Sequence, residues 1–201
     1  YAALARGGHW RHFTIWENEP PSCSARQVFS AAAAFMVADM LRGESRLMDV
    51  CGHSADVRVP PVAWKTGTSS GRRDAWTLAF NPEYVVGVWI GNPSGRDADI
   101  LTGATVAAPV AYDIFRGLYP DGDGPWFERP PRVRVEEVCP LSGKLPGHDC
   151  RVTVDDQRIP GVSDPALCDA HGSRNTRAPA PRITAPVDGT LSLLLATEAA
   201  E

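Results

Sequence analysis

Lys65, Thr66, Gly67 and Thr68, with Ser69 directly after them, are the residues whose types and spacing best suit chemistry in this chain. Acyl transfer at a peptide C-terminus needs a nucleophile, a base, an oxyanion hole and a cation for the substrate carboxylate. A strand forming one wall of a cleft can supply several of these. Lys65 would place an ammonium beside the carboxylate, and the Thr66, Thr68 and Ser69 hydroxyls can hydrogen-bond to it. Gly67 leaves room for substrate backbone, and the Thr68 amide is placed to meet the carbonyl oxygen under attack. Lysine is scarce: Lys144 is the only other one, and the remaining eighteen basic residues are arginine.

Other reactive side chains are less organised. His9, His12, His53, His148 and His171 are scattered among loops and read as surface residues. Asp74 opens a strand, where capping or ion pairing is the ordinary role, and Arg72 and Arg73 read equally as solvated loop residues or as contacts for an anionic substrate. Gly143-Lys144 lacks the upstream glycine and the following hydroxyl of a phosphate loop. Of five cysteines, Cys139 and Cys150 close a turn-rich loop that suits a disulfide in an oxidising compartment. The rival reading is a zinc site of Cys139, Cys150, Cys168 and His171, with only one short ligand pair, and free thiols are a third reading.

The elements around the motif follow from periodicity. Ser24-Ala25-Arg26-Gln27 has capping-box form and predicts a helix over 26–42, with Phe29, Ala32, Ala33, Met36 and Met40 inward and Gly43 as its stop. Strands are expected over about 62–69, 74–80 and 84–91 as an antiparallel meander. In the second, Trp76, Leu78 and Phe80 alternate with Ala75, Thr77 and Ala79. The third reads as buried on both faces. A helix over 102–118 follows, with Val106, Val110, Ala111, Ile114, Phe115 and Leu118 inward; Pro109 favours a later start. The expected class is therefore α+β, an antiparallel sheet flanked by helices.

Composition is that of an ordinary globular protein, 43% hydrophobic and 22% charged, with net charge −4 and pI near 5.7. That balance gives no reason to expect a nucleic-acid partner. No apolar run is long enough to span a membrane. Linker composition near 120–131 and 176–182 divides the chain into 1–120, 121–182 and 183–201, and both ends read as cuts in a longer polypeptide.

Ala63-Trp64-Lys65-Thr66-Gly67-Thr68-Ser69, Arg73-Asp74-Ala75-Trp76 and Val85 to Asn92 resemble the transpeptidase domain of bifunctional class A penicillin-binding proteins. Thr102-Gly103-Ala104 with Ala108-Pro109-Val110 resembles the helix after that sheet, and Tyr1 to Gly8 an upstream turn. Cys139 to Cys150 and Ile159-Pro160-Gly161-Val162-Ser163 look like the region beyond it in the penicillin-binding protein 1C subgroup. Ile183 to Thr190 resembles the opening strand of that subgroup's small C-terminal β-domain, here truncated.

The resemblance implies a serine acyl-enzyme acting on peptidoglycan stem peptides, a parent that also polymerises a lipid-linked precursor, and inhibition by β-lactams. It implies no cofactor or metal for the reaction, and residence at the periplasmic face of the inner membrane through an N-terminal anchor outside this chain. No serine here has a lysine three residues later, so the nucleophile motif S-x-x-K and the second motif S-x-N belong upstream. Ser173-Arg174-Asn175 has the second form but follows Lys65. Alternative readings are a DD-carboxypeptidase or β-lactamase-like hydrolase, and a non-catalytic wall-binding module.

Overall fold

Small residues decide how this fold packs. The computed structural model describes residues 1–16, 18, 24–43, 60–92, 94, 102–163 and 166–171, and the backbone of 183–187 and 190–193. Cys23, Cys51, His53 and Ser173-Arg174-Asn175 lie outside these residues. The chain divides into two compact units, Tyr1–Glu136 with Gln157–Ser163, and Glu137–Asp156 with Asp164–Glu201.

In the first unit, a short helix α1 (Ala2–Ala5) leads into strand β1 (His9–Arg11), which pairs antiparallel with β2 (Ala25–Gln27). The capping-box reading of Ser24 to Gln27 is thereby corrected, because these residues spend their backbone on a strand pair. Helix α2 (Ala31–Arg42) starts later, where Ser30 Oγ accepts from the Ala33 amide at 3.1 Å. It ends at Gly43 in the left-handed region, φ 42°, as the sequence predicts. Its inward face matches the expected one only in part, at Ala32 and Met36. Ala32, Ala34, Phe35 and Ala38 are buried, whereas Phe29 and Met40 are exposed.

Strands β3 (Ala63–Thr68), β4 (Asp74–Phe80) and β5 (Val85–Gly91) form the expected antiparallel meander. The register sets Lys65 opposite Leu78, Gly67 opposite Trp76, and Trp76 opposite Trp89. A 3₁₀ turn at Ser70–Arg72, with Gly71 at φ 74°, joins the first two strands. Asn81 fixes the second turn: its Oδ1 accepts from the Glu83 and Tyr84 amides at 3.0 and 2.8 Å.

A π-helical turn (Gly103–Ala107) runs into helix α3 (Ala108–Leu118), with Pro109 in its first turn as expected from the sequence. Helix α3 packs on the small-residue face of the sheet. Ala75, Ala79 and Val88 meet Ala107, Ala108, Ala111, Tyr112 and Phe115, and Trp64 meets Tyr112 edge-on at 5.6 Å. Alanines facing alanines let helix and sheet approach closely. The expected inward stripe is accordingly displaced, leaving Val110, Ile114 and Leu118 more than 40% exposed.

On the other face of the sheet, Ala63 and Phe80 cluster with Ala5 and Ala38 from α1 and α2. That cover stops at the Ala63–Phe80 end of the sheet. Farther along the same face Lys65, Gly67, Trp76, Gly87 and Trp89 are exposed, so β5 is buried on one face rather than both. Ala32 and Phe35 of α2 also pack with Val133 and Ile159.

Strands β6 (Arg134–Val138) and β7 (Val154–Arg158) pair with each other, and the division between the units falls within them. In the second unit, β8 (Ile183–Val187) pairs antiparallel with β9 (Thr190–Leu193). Among the described residues no helix is long and apolar enough to cross a membrane.

Candidate functional site

Strand alternation places the two halves of the Lys65–Thr68 motif on opposite faces. Lys65 and Gly67 lie on the open face. Lys65 Nζ donates to the Thr66 carbonyl at 2.5 Å, its recorded partner among the described residues. Thr66 and Thr68 lie on the face toward the π-helical turn. Thr68 Oγ1 accepts from the Gly103 amide at 3.1 Å, and from the facing strand Thr77 Oγ1 donates to the Gly103 carbonyl at 3.1 Å. Both polar groups of the Gly103 backbone are thus held by threonines of the sheet.

Glycine is required at 103. A Cβ there would lie 2.5 Å from the Trp76 carbonyl oxygen and 2.9 Å from both the Gly67 carbonyl oxygen and Thr66 Cβ. Gly67 is different. A Cβ at that position would meet nothing nearer than Trp76 Cβ at 3.7 Å, an ordinary contact. Neither packing nor backbone conformation within the described chain calls for glycine at 67. Its smallness serves the open side of the strand.

Ser69 and Asp74 close the end of the β3–β4 pair. The Asp74 amide donates to Ser69 Oγ at 2.8 Å, and Trp89 Nε1 donates to Asp74 Oδ1 at 2.9 Å. Asp74 is therefore the structural residue the sequence suggests, anchoring the indole that stacks obliquely with Trp76 at 6.4 Å between centroids. Among the described residues β3 pairs only with β4, so its other edge is open. Alternate residues of such an edge direct N–H and C=O groups outward, where an extended peptide can meet them.

Sequence reasoning missed Thr77 and Gly103 as the clasp behind the motif. Thr77 is buried and polar on an otherwise alanine face, and that interruption was the available signal. It missed Tyr119 as well. At the far end of the sheet Asn81 Nδ2 donates to Tyr119 Oη at 2.9 Å, and Tyr119 Oη donates to Glu83 Oε2 at 2.6 Å. Burial, then the Glu83 carboxylate, holds the Tyr119 hydroxyl above its ordinary pKa.

In the second unit the structure does not join Cys139 to Cys150, against the disulfide expectation. Their sulfurs instead converge, with that of Cys168, on His171 Nδ1 at 3.6, 3.3 and 3.4 Å. These four side chains are the described residues able to hold a metal. Burial pushes the Cys150 thiol up to about 11. The Ser142 hydroxyl holds Cys168 down to about 7. Burial opposes ionisation of Cys139, but hydrogen bonds from Ser142 outweigh it and lower its pKa. Beside the cluster Lys144 Nζ donates to Asp169 Oδ2 at 2.9 Å and lowers that carboxyl.

No protein-family model matches the chain. It is 32% identical over 171 residues to penicillin-binding protein 1C of Escherichia coli (strain K12), covering 83% of this chain and 22% of that protein. A match of that length necessarily takes in both the Lys65 strand and the Cys139–Cys150 loop. It is also 32% identical over 126 residues to penicillin-binding protein 1A of Clostridium botulinum (strain Langeland), covering 63% of this chain and 15% of the relative. The crystal structure of penicillin-binding protein 1A from Haemophilus influenzae superposes with a TM-score of 0.55 at 20% identity, over 68% of this chain and 21% of that one. That likeness identifies the sheet and its helices as part of an α+β fold of that type. The chain spans about a fifth of the length of these relatives.

Proposed function

Because this chain is a relative of the class A penicillin-binding proteins over most of its length, we propose that β3 is the cleft strand of a serine DD-transpeptidase. The observation that carries the reading is the open side of β3. Lys65 and Gly67 are exposed there, Gly67 serves no packing need, and Thr68 is fixed from behind through Gly103.

The substrate is a D-Ala-D-Ala stem peptide lying along the open strand edge. Its terminal carboxylate pairs with the Lys65 ammonium. The Thr66 hydroxyl, and that of Thr68, which still has its proton to donate after accepting from Gly103, complete the carboxylate site with Ser69 at its end. The Thr68 amide N–H stabilises the oxyanion.

The serine of an S-x-x-K motif elsewhere in the parent polypeptide attacks the carbonyl carbon of the penultimate D-alanine. The bond to the terminal D-alanine breaks, that amine takes the proton, and an ester forms on serine. An amine of a neighbouring stem then attacks the ester, and the serine oxygen recovers a proton. A β-lactam acylates the same serine and its ester persists. The parent carries the glycosyltransferase that polymerises the lipid-linked precursor, and works at the periplasmic face of the inner membrane. Residues 1–120 belong to the transpeptidase domain, 121–182 to a cysteine-containing extension, and 183–201 to the start of a C-terminal β-domain.

The test is to read the parent sequence for S-x-x-K and S-x-N ahead of Tyr1 and to label the full-length protein with a fluorescent penicillin. Both motifs and a covalent adduct on the motif serine are expected. Absence of both motifs overturns the reading.

A further inference from the structure

We propose that Cys139, Cys150, Cys168 and His171 bind a structural zinc ion that organises the second unit. The proposal is independent of the role given to residues 63–69. Zinc bonded at about 2.3 Å to sulfur and about 2.0 Å to nitrogen, with tetrahedral angles, sets each sulfur roughly 3.5 Å from the nitrogen. The three sulfurs lie 3.6, 3.3 and 3.4 Å from His171 Nδ1. All four ligand atoms lie within 4.8 Å of one another.

Hydrogen bonding does not account for this arrangement. A ring nitrogen offers either one in-plane lone pair or one N–H, so it serves one sulfur well and not three. A disulfide does not account for it either, since joining any two of three thiols leaves the third beside the imidazole. Three sulfurs at tetrahedral spacing from one nitrogen, with all four positions supplied by protein, match a closed structural zinc site rather than a catalytic one.

The backbone is shaped for the same end. The Gly143 amide donates to the Cys139 carbonyl and the Cys139 amide to the Lys144 carbonyl, both at 2.8 Å, closing a tight turn at the first ligand. The Gly147 amide donates to Cys150 Sγ at 3.3 Å, the kind of contact that stabilises a metal-bound thiolate. The segment bearing the last two ligands is stitched alongside: Leu145 bridges Leu167 in parallel, and the Cys168 amide donates to the Leu145 carbonyl at 2.8 Å.

The described part of the second unit buries little. Among its described residues only Val138 and Cys139 are buried, while Leu141, Val152 and Leu167 are more than 60% exposed. Residues 137–156 and 166–171, with so little apolar core among them, gain from a cross-link, and metal binding supplies folding free energy directly. The cysteines would bind as thiolates, releasing their protons to solvent.

Two measurements test this on the full chain. Elemental analysis after dialysis should find about one zinc per chain, and cobalt substitution should give thiolate-to-cobalt charge transfer with the d–d bands of a tetrahedral centre. Cys139→Ser and Cys168→Ser should lose the metal, and Cys51→Ser should retain it. If either ligand variant fails to fold, the cobalt spectrum of the unaltered chain still decides. Protein that retains no metal, an octahedral cobalt spectrum, or a Cys139–Cys150 disulfide mapped in the natively exported protein would overturn the site.

Discussion

Thr68 Oγ1 accepts the Gly103 amide at 3.1 Å, tying the last residue of the motif strand to the turn that starts the following helix. The bond is partly buried, so removing the acceptor leaves an amide without compensation. Thr68→Val should lower stability by about 1–3 kcal/mol, and Thr68→Ser by much less. Chemical denaturation of the two variants checks this. Equal losses would show that the hydroxyl does not hold the strand.

Gly67 and Gly103 should behave oppositely. Gly67→Ala meets only an ordinary contact and should leave stability unchanged or raise it by about 0.4–1 kcal/mol. In the full-length protein it should nevertheless slow penicillin acylation, because a methyl group intrudes on the open side. Gly103→Ala forces a Cβ against backbone oxygens and should cost about 1–3 kcal/mol. Thermal melts with acylation rates separate the two effects.

Tyr119 makes stability sensitive to alkali. Its folded-state pKa is raised above 10.0, first by burial and then by Glu83. A raised pKa means that the folded protein prefers the protonated phenol. That stability is fully present below the unfolded value and is lost as pH rises through the folded one. Unfolding followed from pH 9 to 12 should show this decline, and Tyr119→Phe should flatten it. An unchanged decline in the variant would assign it to other groups.

Much of the sheet was legible because its signals are local. Turn residues at Ser69–Arg73 and Asn81–Glu83 bracket β-rich runs, and the three strands fall within a residue or two of their expected bounds. Helix facing was legible only in part. Ala32, Ala111 and Phe115 are buried as expected, but close packing against an alanine sheet face adds Ala108 and Tyr112 and leaves bulky Val110, Ile114 and Leu118 outside. Ser24 to Gln27 satisfies a cap pattern, but pairing with residues distant in sequence overrides it.

The true cap offers its own check. Ser30→Ala should destabilise α2 by about 1 kcal/mol, with Ser30→Asp restoring it, as read by circular dichroism during denaturation. No loss in the alanine variant would contradict the cap.

The same limit applied to the cysteines. Spacing favoured Cys139 and Cys150 as a disulfide-closed loop and left Cys139, Cys150, Cys168 and His171 as the rival zinc set, and the folded chain brings those four together. At the motif strand, the sequence singled out residues for their chemistry but not their division between faces. Lys65 and Gly67 look outward, while Thr68 is held from behind by Gly103.

On the proposed reading Lys65 serves the anionic end of an acyl donor. Its most direct test is the second-order rate constant for acylation by a labelled penicillin, measured in the full-length polypeptide for wild type and Lys65→Ala at matched stability. Loss of a charge-assisted contact of about 1.5–3 kcal/mol predicts a rate lower by roughly 10- to 100-fold. An undiminished rate in Lys65→Ala would mean that Lys65 does not receive the acyl donor's anionic end.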